Sequence, residues 1–345
     1  MKGFRRCVMQ QNGAVIRTDL LHKNAEFFKK RANGAKLCAV VKADAYGHGA
    51  DVCAQVLSDV ADVFAVSLVE EGARLRHSGI EKDVLVLSPP LSEEEVLRGA
   101  YHDLIFSVGD AEDYALLVRA AKKYGVAVRC HLQINTGMNR YGFSLTDLQS
   151  FLQLHTDRRV AVEGIYSHFY RAEDMRVTEL QFRRFQRAYA CAEERFGRLT
   201  RHVAATGGVL ASQEYALDMV RVGIGLYGYL PNGFSSECGS VFPVMRVYST
   251  VAAARKYEFG GAGYGDFTPR AEKLFTLRCG YADGFFRSVN GGNSLCMDAQ
   301  ILAGGIKKYD TLCVFGDADA YADAHGTISY EALVRVSSRA VKIYV

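Results

Sequence analysis

Lys42 closes an apolar run in AVVKADAYGHG (39–49), and a tyrosine, a histidine and two glycines follow within seven positions. Lysine is among the residues least often fully buried. At a strand end it is either a solvated charge or an amine placed for chemistry. Other polar residues with chemical potential recur at similar boundaries: Arg140 in TGMNRYGF, His168 at the end of VAVEGIYSH, and Arg221 just before VGIG. ATGG (205–208) and GIG (223–225) are small enough to let backbone N–H groups approach a phosphate closely. A lysine beside a phosphate site suits a Schiff base with pyridoxal phosphate. Taken singly, each of these residues reads as ordinary surface or strand-end polarity. The run GGAGYG (260–265) resembles a nucleotide loop, but it does not sit between the strand and helix of a βαβ unit, so that reading fails.

The elements that must position these residues are short β-branched runs alternating with helical patterns. The runs are KLCAVVKA (36–43), VFAVS (63–67), VLVLS (84–88), DLIFSV (103–108), AVRCHLQI (127–134), VAVEGIYSH (160–168), RHVAAT (201–206) and LDMVRVG (217–223). Parallel strands buried on both faces read as continuous apolar runs rather than alternating ones. Eight of them predict a (β/α)8 TIM barrel over residues 1–233, with an open doubly wound sheet as the alternative. In such a barrel chemistry gathers at the C-terminal strand ends, and phosphate commonly binds after the last two strands. Lys42, Arg140, His168, Thr206 and Arg221 all fall there. After LYGYLPNG the texture changes to strands bounded by glycine turns, which predicts a C-terminal mainly-β domain over 234–345. The opening GAVIRTD (13–19) could belong to either domain.

Composition excludes several classes. The apolar fraction is 49%, the charged fraction 23% and the net charge +4, so nothing suggests a nucleic-acid surface. The densest basic stretches, KKRANGAK and FRRFQRA, lie on helical patterns and read as solvated faces. Nine cysteines without CxxC spacing suggest reduced thiols, and nine histidines show no ligand spacing, so no metal is expected. No apolar run is long enough for a membrane span, and MKGFRRCVMQQNG lacks the apolar centre of a signal peptide. A cytoplasmic protein is expected.

AVVKADAYGHG, INTGMNRYGF, GIYSHF, DMVRVGIGLYG, GAGYG, GYADGFFR, LCMD and HGTISYEAL, in this order, resemble the motifs of the bacterial alanine racemases, fold-type III enzymes that use pyridoxal 5'-phosphate. The resemblance covers nearly the whole chain and implies a barrel followed by a β domain. It implies that Lys42 carries the cofactor and acts as one acid/base, and that Tyr264, from the second subunit of a homodimer, acts on the opposite face of Cα. Two bases on opposite faces are what racemisation requires. By the same resemblance Arg221 bonds the pyridine nitrogen, His168 bridges Arg221 and Tyr264, and Tyr46, Thr206, Gly223 and Ile224 hold the phosphate. Arg140 contacts the phenolic oxygen and the substrate carboxylate, and Tyr281, Met297 and Asp298 line the entrance.

Four departures stand out. Where the family carries a carbamylated lysine and an aspartate before the TGM, this chain has Gln133 and Asn135. Arg140 then loses an anionic partner, and Gln133 can orient it only through a neutral amide or leave room for a bound anion. Ala205-Thr206 replaces Asn-Ser, Ser338 replaces a pocket tyrosine, and the stretch over 287–296 is short. Serine or a broader set of amino acids is therefore the alternative substrate range. A cofactor-holding protein without turnover is the alternative from another class, and a fold-type III decarboxylase fits less well because GYADG and CMD match the racemase pattern.

Overall fold

The computed structural model describes residues 12–154, 156–235, 240–264, 268–287, 294–336 and 338–345. It forms two compact units: a barrel unit of residues 21–45 and 50–242, and a sheet unit of residues 1–20, 46–49 and 243–345. Among the described residues no helix is long and apolar enough to cross a membrane.

The first strand, β1 (Gly13–Ile16), belongs to the sheet unit. The barrel unit follows with β2 (Lys36–Val40), β3 (Val63–Val66), β4 (Val84–Val86), β5 (Leu104–Val108), β6 (Val128–Gln133), β7 (Val160–Tyr166), β8 (Thr200–His202) and β9 (Met219–Val222). Neighbours pair in parallel in the order β8-β7-β6-β5-β4-β3-β2-β9. The two end strands are linked by Asp218 N–H to Arg201 O (3.2 Å) and Arg221 N–H to Ala204 O (2.9 Å), so the barrel is nearly closed. All residues of β3, β4 and β5 are buried, as expected of parallel strands covered on both faces.

Helices follow the strands and pack on their outer side. Ser92, Asp110 and Ser144 cap three of them by accepting the backbone N–H three residues on. Close packing of helix on strand needs glycine at one point: a Cβ on Gly99 would stand 2.3 Å from the Phe106 ring. The expected strands 36–43 and 201–206 are shorter than their apolar runs. β2 ends at Val40 because the chain turns sharply there, and β8 ends at His202 because a new helix starts at Thr206.

The sheet unit adds β10 (Met245–Lys256), β11 (Lys273–Leu277), β12 (Ser294–Leu295), β13 (Gln300–Ala303), β14 (Thr311–Phe315) and β15 (Val341–Tyr344). Their order is β12-β13-β11-β10-β1-β15, with β14 on β10. The chain's first described strand thus lies between a long antiparallel partner (Ile16 opposite Met245) and the last strand, which runs parallel to it (Ile16 opposite Tyr344). A small core of Val251, Phe275, Leu277 and Cys279 holds one end of this sheet.

Candidate active site

Lys42 stands two residues beyond β2, at the C-terminal mouth of the barrel. The chain turns there through a run that L-residues rarely adopt: Ala43, Asp44 and Ala45 have φ of 51°, 54° and 55°, and Tyr46 has φ 52°. None of the four is glycine. Left-handed helical geometry costs roughly 1–2 kcal/mol per residue, so surrounding bonds must hold it. Ala45 N–H donates to Val41 O (2.9 Å), and Asp44 Oδ1 accepts Ala50 N–H (3.0 Å). Burial, then the charges of Arg140 and Arg221, lower the proton affinity of the Lys42 amine, while Glu71 opposes them. An amine so placed is nucleophilic at less alkaline pH than a solvated lysine.

Arg221, in β9, is 3% exposed, and among the described residues no carboxylate pairs with it. Its charge is met by neutral groups. Nη1 donates to His202 Nδ1 (2.7 Å) and His202 O (2.9 Å), and Nη2 donates to Ser167 O (2.7 Å). His168 Nδ1 lies 3.5 Å from Nη2, the outer limit of a hydrogen bond. The guanidinium also lies 5.0 Å from the centre of the Tyr166 ring, a cation–π distance.

The donors determine the tautomers. A guanidinium only donates, so His202 Nδ1 must accept and Nε2 must carry the proton. That Nε2 then donates to His131 Nδ1 at 2.9 Å, which puts the His131 proton on Nε2. Burial keeps all three rings neutral: it pushes His131 and His168 down to about 3 and His202 well below its usual value. Tyr166 stacks on His202 with ring centres 4.9 Å apart, and its hydroxyl meets Ser107 Oγ at 2.7 Å while Ser107 donates to Val86 O. Room for His131 is made by Gly164 on the adjacent strand, where a Cβ would stand 2.7 Å from the ring. His131 and His202 are not among the residues expected from the sequence; the available signal was a histidine at a buried position in each of two barrel strands, β6 and β8.

The two small-residue turns after β8 and β9 are joined by Gly225 N–H to Thr206 Oγ1 (3.3 Å). A Cβ on Gly225 would meet the Phe28 ring at 2.4 Å and Thr206 Cγ2 at 2.9 Å, so the turn carrying Gly223 and Ile224 admits no bulk there. In the TGM loop Asn135 Oδ1 accepts the N–H groups of Gly137 and Asn139 (3.0 and 3.1 Å), which closes the loop with a neutral side chain. Gln133 does not orient Arg140. Among the described residues its buried Oε1 meets no hydrogen-bond partner, and Arg140 is exposed, its guanidinium 5.9 Å from the Tyr141 ring centre. The expected amide contact is not formed: Gln133 ends β6, while Arg140, on the loop beyond it, is close enough to Lys42 for its charge to lower the proton affinity of that amine.

The other expected residues lie in the sheet unit. Tyr46 is buried, with its ring 6.2 Å from that of Tyr330. Tyr264, Met297 and Tyr281 are 74%, 53% and 40% exposed. Tyr281 N–H donates to Cys296 O and Ala282 N–H to Met297 O (3.1 and 3.0 Å), so the GYADG and CMD turns form one ledge. Arg339 pairs with Asp298 at 2.7 Å and reaches toward buried Asp283 at 3.7 Å. Ser338 is exposed on the turn before β15. Of the shortened stretch, residues 288–293 lie outside those described.

These residues fit a phosphorylated pyridine aldehyde. The set comprises an amine of lowered proton affinity, a buried guanidinium with no carboxylate, and two tight glycine turns joined through Thr206. Comparison with known proteins decides the lineage. Residues 16–231 match the family model "Alanine racemase, N-terminal domain", and residues 244–344 match "Alanine racemase, C-terminal domain". The chain belongs to the alanine racemase family. Among its relatives, the alanine racemase of Clostridium novyi is 30% identical, over 96% of this chain and 95% of the other. That of Clostridium tetani is 31% identical over 96% and 95%. The solved structure of alanine racemase from Clostridium difficile superimposes with a TM-score of 0.89 at 27% identity, covering 97% and 96% of the two chains. That from Streptomyces coelicolor gives 0.84 at 28%, covering 99% of each.

Proposed function

We propose that this chain interconverts L- and D-alanine, with pyridoxal 5'-phosphate held on Lys42 and with two bases, Lys42 and Tyr264 of the partner subunit, in a cytoplasmic homodimer. The reading is carried by one observation: a lysine of lowered proton affinity shares the barrel mouth with a buried arginine that no carboxylate among the described residues neutralises. When bound, the cofactor supplies an aldehyde for the amine and a ring that delocalises charge left at Cα. Arg221 is donor-only and is held by His202 and Ser167, so it offers a hydrogen bond to the ring nitrogen without giving up a proton. Lys42 Nζ takes or returns the Cα proton on one face, and the hydroxyl of the partner subunit's Tyr264 does so on the other. His168 stays neutral beside Arg221; with Nδ1 turned to the guanidinium, its Nε2–H can donate to the phenolic oxygen of the partner subunit's Tyr264. Tyr46, Thr206, Gly223 and Ile224 hold the phosphate, Arg140 takes the substrate carboxylate, and Tyr281 with Met297 narrows the approach.

Among the described residues Cys38, Cys130, Cys191, Cys279, Cys296 and Cys313 are free thiols, as a reducing compartment would keep them. A broader substrate range is the second reading, supported by Gln133 Oε1, which meets no partner among the described residues and so does not orient Arg140, and by the small Ser338. A panel of alanine, serine and larger amino acids, separated on a chiral column, decides between the two. Racemisation of alanine is expected, together with a cofactor that borohydride fixes to Lys42. A chain that takes up no cofactor and racemises nothing would refute the proposal.

A further inference from the structure

Glu71 has no part in the scheme above, yet its two oxygens do different work. It is the third residue of the helix Val69–His77, and its Oε2 accepts the N–H groups of Ser67 (2.7 Å) and Leu68 (3.1 Å). That is helix capping, needed because the capping position is Leu68, which has no polar side chain. Oε1 is not needed by the helix. It accepts the N–H of Ala43 at 2.7 Å, and Ala43 directly follows Lys42 and opens the left-handed run. Bonds from Ala45 and Ala50 secure the far side of that run, and Glu71 secures the side next to the lysine.

We infer that Glu71 is a positioning residue for Lys42: through Oε1 it pins the backbone from which the lysine side chain springs, and so fixes where the amine stands in the barrel mouth. The inference rests on Lys42 being the cofactor lysine. Its carboxylate also opposes Arg140 and Arg221, which share the surroundings of the amine. A glutamine cannot replace it. With one oxygen and one NH2, it must turn a donor toward either Ala43 N–H or the two capped N–H groups. An aspartate keeps the charge but is one methylene too short to span both.

The test uses the full-length chain stripped of cofactor. Trace acetic anhydride labels each lysine according to its free-amine fraction, read at the Lys42 peptide by mass spectrometry across pH. In parallel, pyridoxal phosphate is added and the rate of borohydride-stable attachment to Lys42 is followed. Glu71→Gln is expected to move the Lys42 labelling midpoint to lower pH, on the order of half a unit to one unit. It should also slow cofactor attachment about tenfold. Glu71→Asp should restore the midpoint and not the rate, and it carries the test alone if Glu71→Gln fails to fold. A Glu71 variant that melts earlier but keeps both the wild-type midpoint and the wild-type rate would reduce Glu71 to a helix cap and overturn the inference. Wild-type protein that attaches no cofactor would overturn the cofactor reading on which the inference rests, a result distinct from wild-type attachment that the Glu71 variants leave unslowed.

Discussion

Replacing His202 tests the chain of neutral rings behind Arg221. In the folded protein His131, His168 and His202 are all held neutral by burial, while in the unfolded chain each titrates near 6.5. Below pH 6.5 the unfolded state therefore binds more protons than the folded one. Each such histidine removes about 1.4 kcal/mol of stability per pH unit as the pH falls, and the loss continues down to its folded pKa, about 3 for His131 and His168. Above pH 6.5 the contribution is complete and flat. His202→Gln can keep both bonds, accepting from Arg221 through Oε1 and donating to His131 through Nε2. It should cost only about 1 kcal/mol at pH 7.5. It also deletes one titrating ring, so stability should fall less steeply between pH 6 and 4.5, by about 1.4 kcal/mol per pH unit. His202→Leu deletes the same ring but strands one N–H of Arg221 Nη1, whose other N–H keeps the backbone oxygen of residue 202, and leaves His131 Nδ1 without its donor, at a cost of about 2–5 kcal/mol even at pH 7.5. Urea titrations of the cofactor-free chain at several pH values measure both quantities. A glutamine variant with the wild-type pH slope would mean that His202 is not held neutral. A leucine variant as stable as the glutamine one would mean that its two hydrogen bonds contribute nothing.

Two further expectations follow from the geometry. Tyr264→Phe should slow exchange of the L-alanine α-proton with deuterated solvent by about 100-fold or more, while exchange from D-alanine through Lys42 persists; equal, mild losses for both isomers, read by proton NMR, would contradict the two-base scheme. Gly164→Ala places a methyl 2.7 Å from the His131 ring, so it should lower stability by roughly 1–3 kcal/mol in a melt, and a neutral result would mean the ring has room to move.

Much of the architecture was legible because it depends on local pattern. Continuous apolar runs mark strands covered on both faces, and the glycine-bounded runs that follow them mark the mainly-β part of the chain. The motif order pointed to Lys42, Arg140, His168, Thr206 and Arg221, and barrel topology brings strand ends together whatever lies between them. The pairing of β1 with β10 and β15 could not be read, because register between distant segments is set by packing rather than by either segment alone. Nor could the left-handed run after Lys42: in ADAY Asp44 alone is of a type that visits positive φ, and bonds from Glu71, Val41 and the Asp44 side chain help hold it. The sequence by itself determined which side chains are present and the period on which they recur. Tertiary structure alone decided that a buried arginine would be met by a neutral histidine, that His131 would find space opposite Gly164, and that Gln133 Oε1 would meet no partner among the described residues. The reason is physical: proton positions, burial costs and unpaired acceptors depend on which groups meet across the barrel, and residues far apart in the chain meet only when it closes.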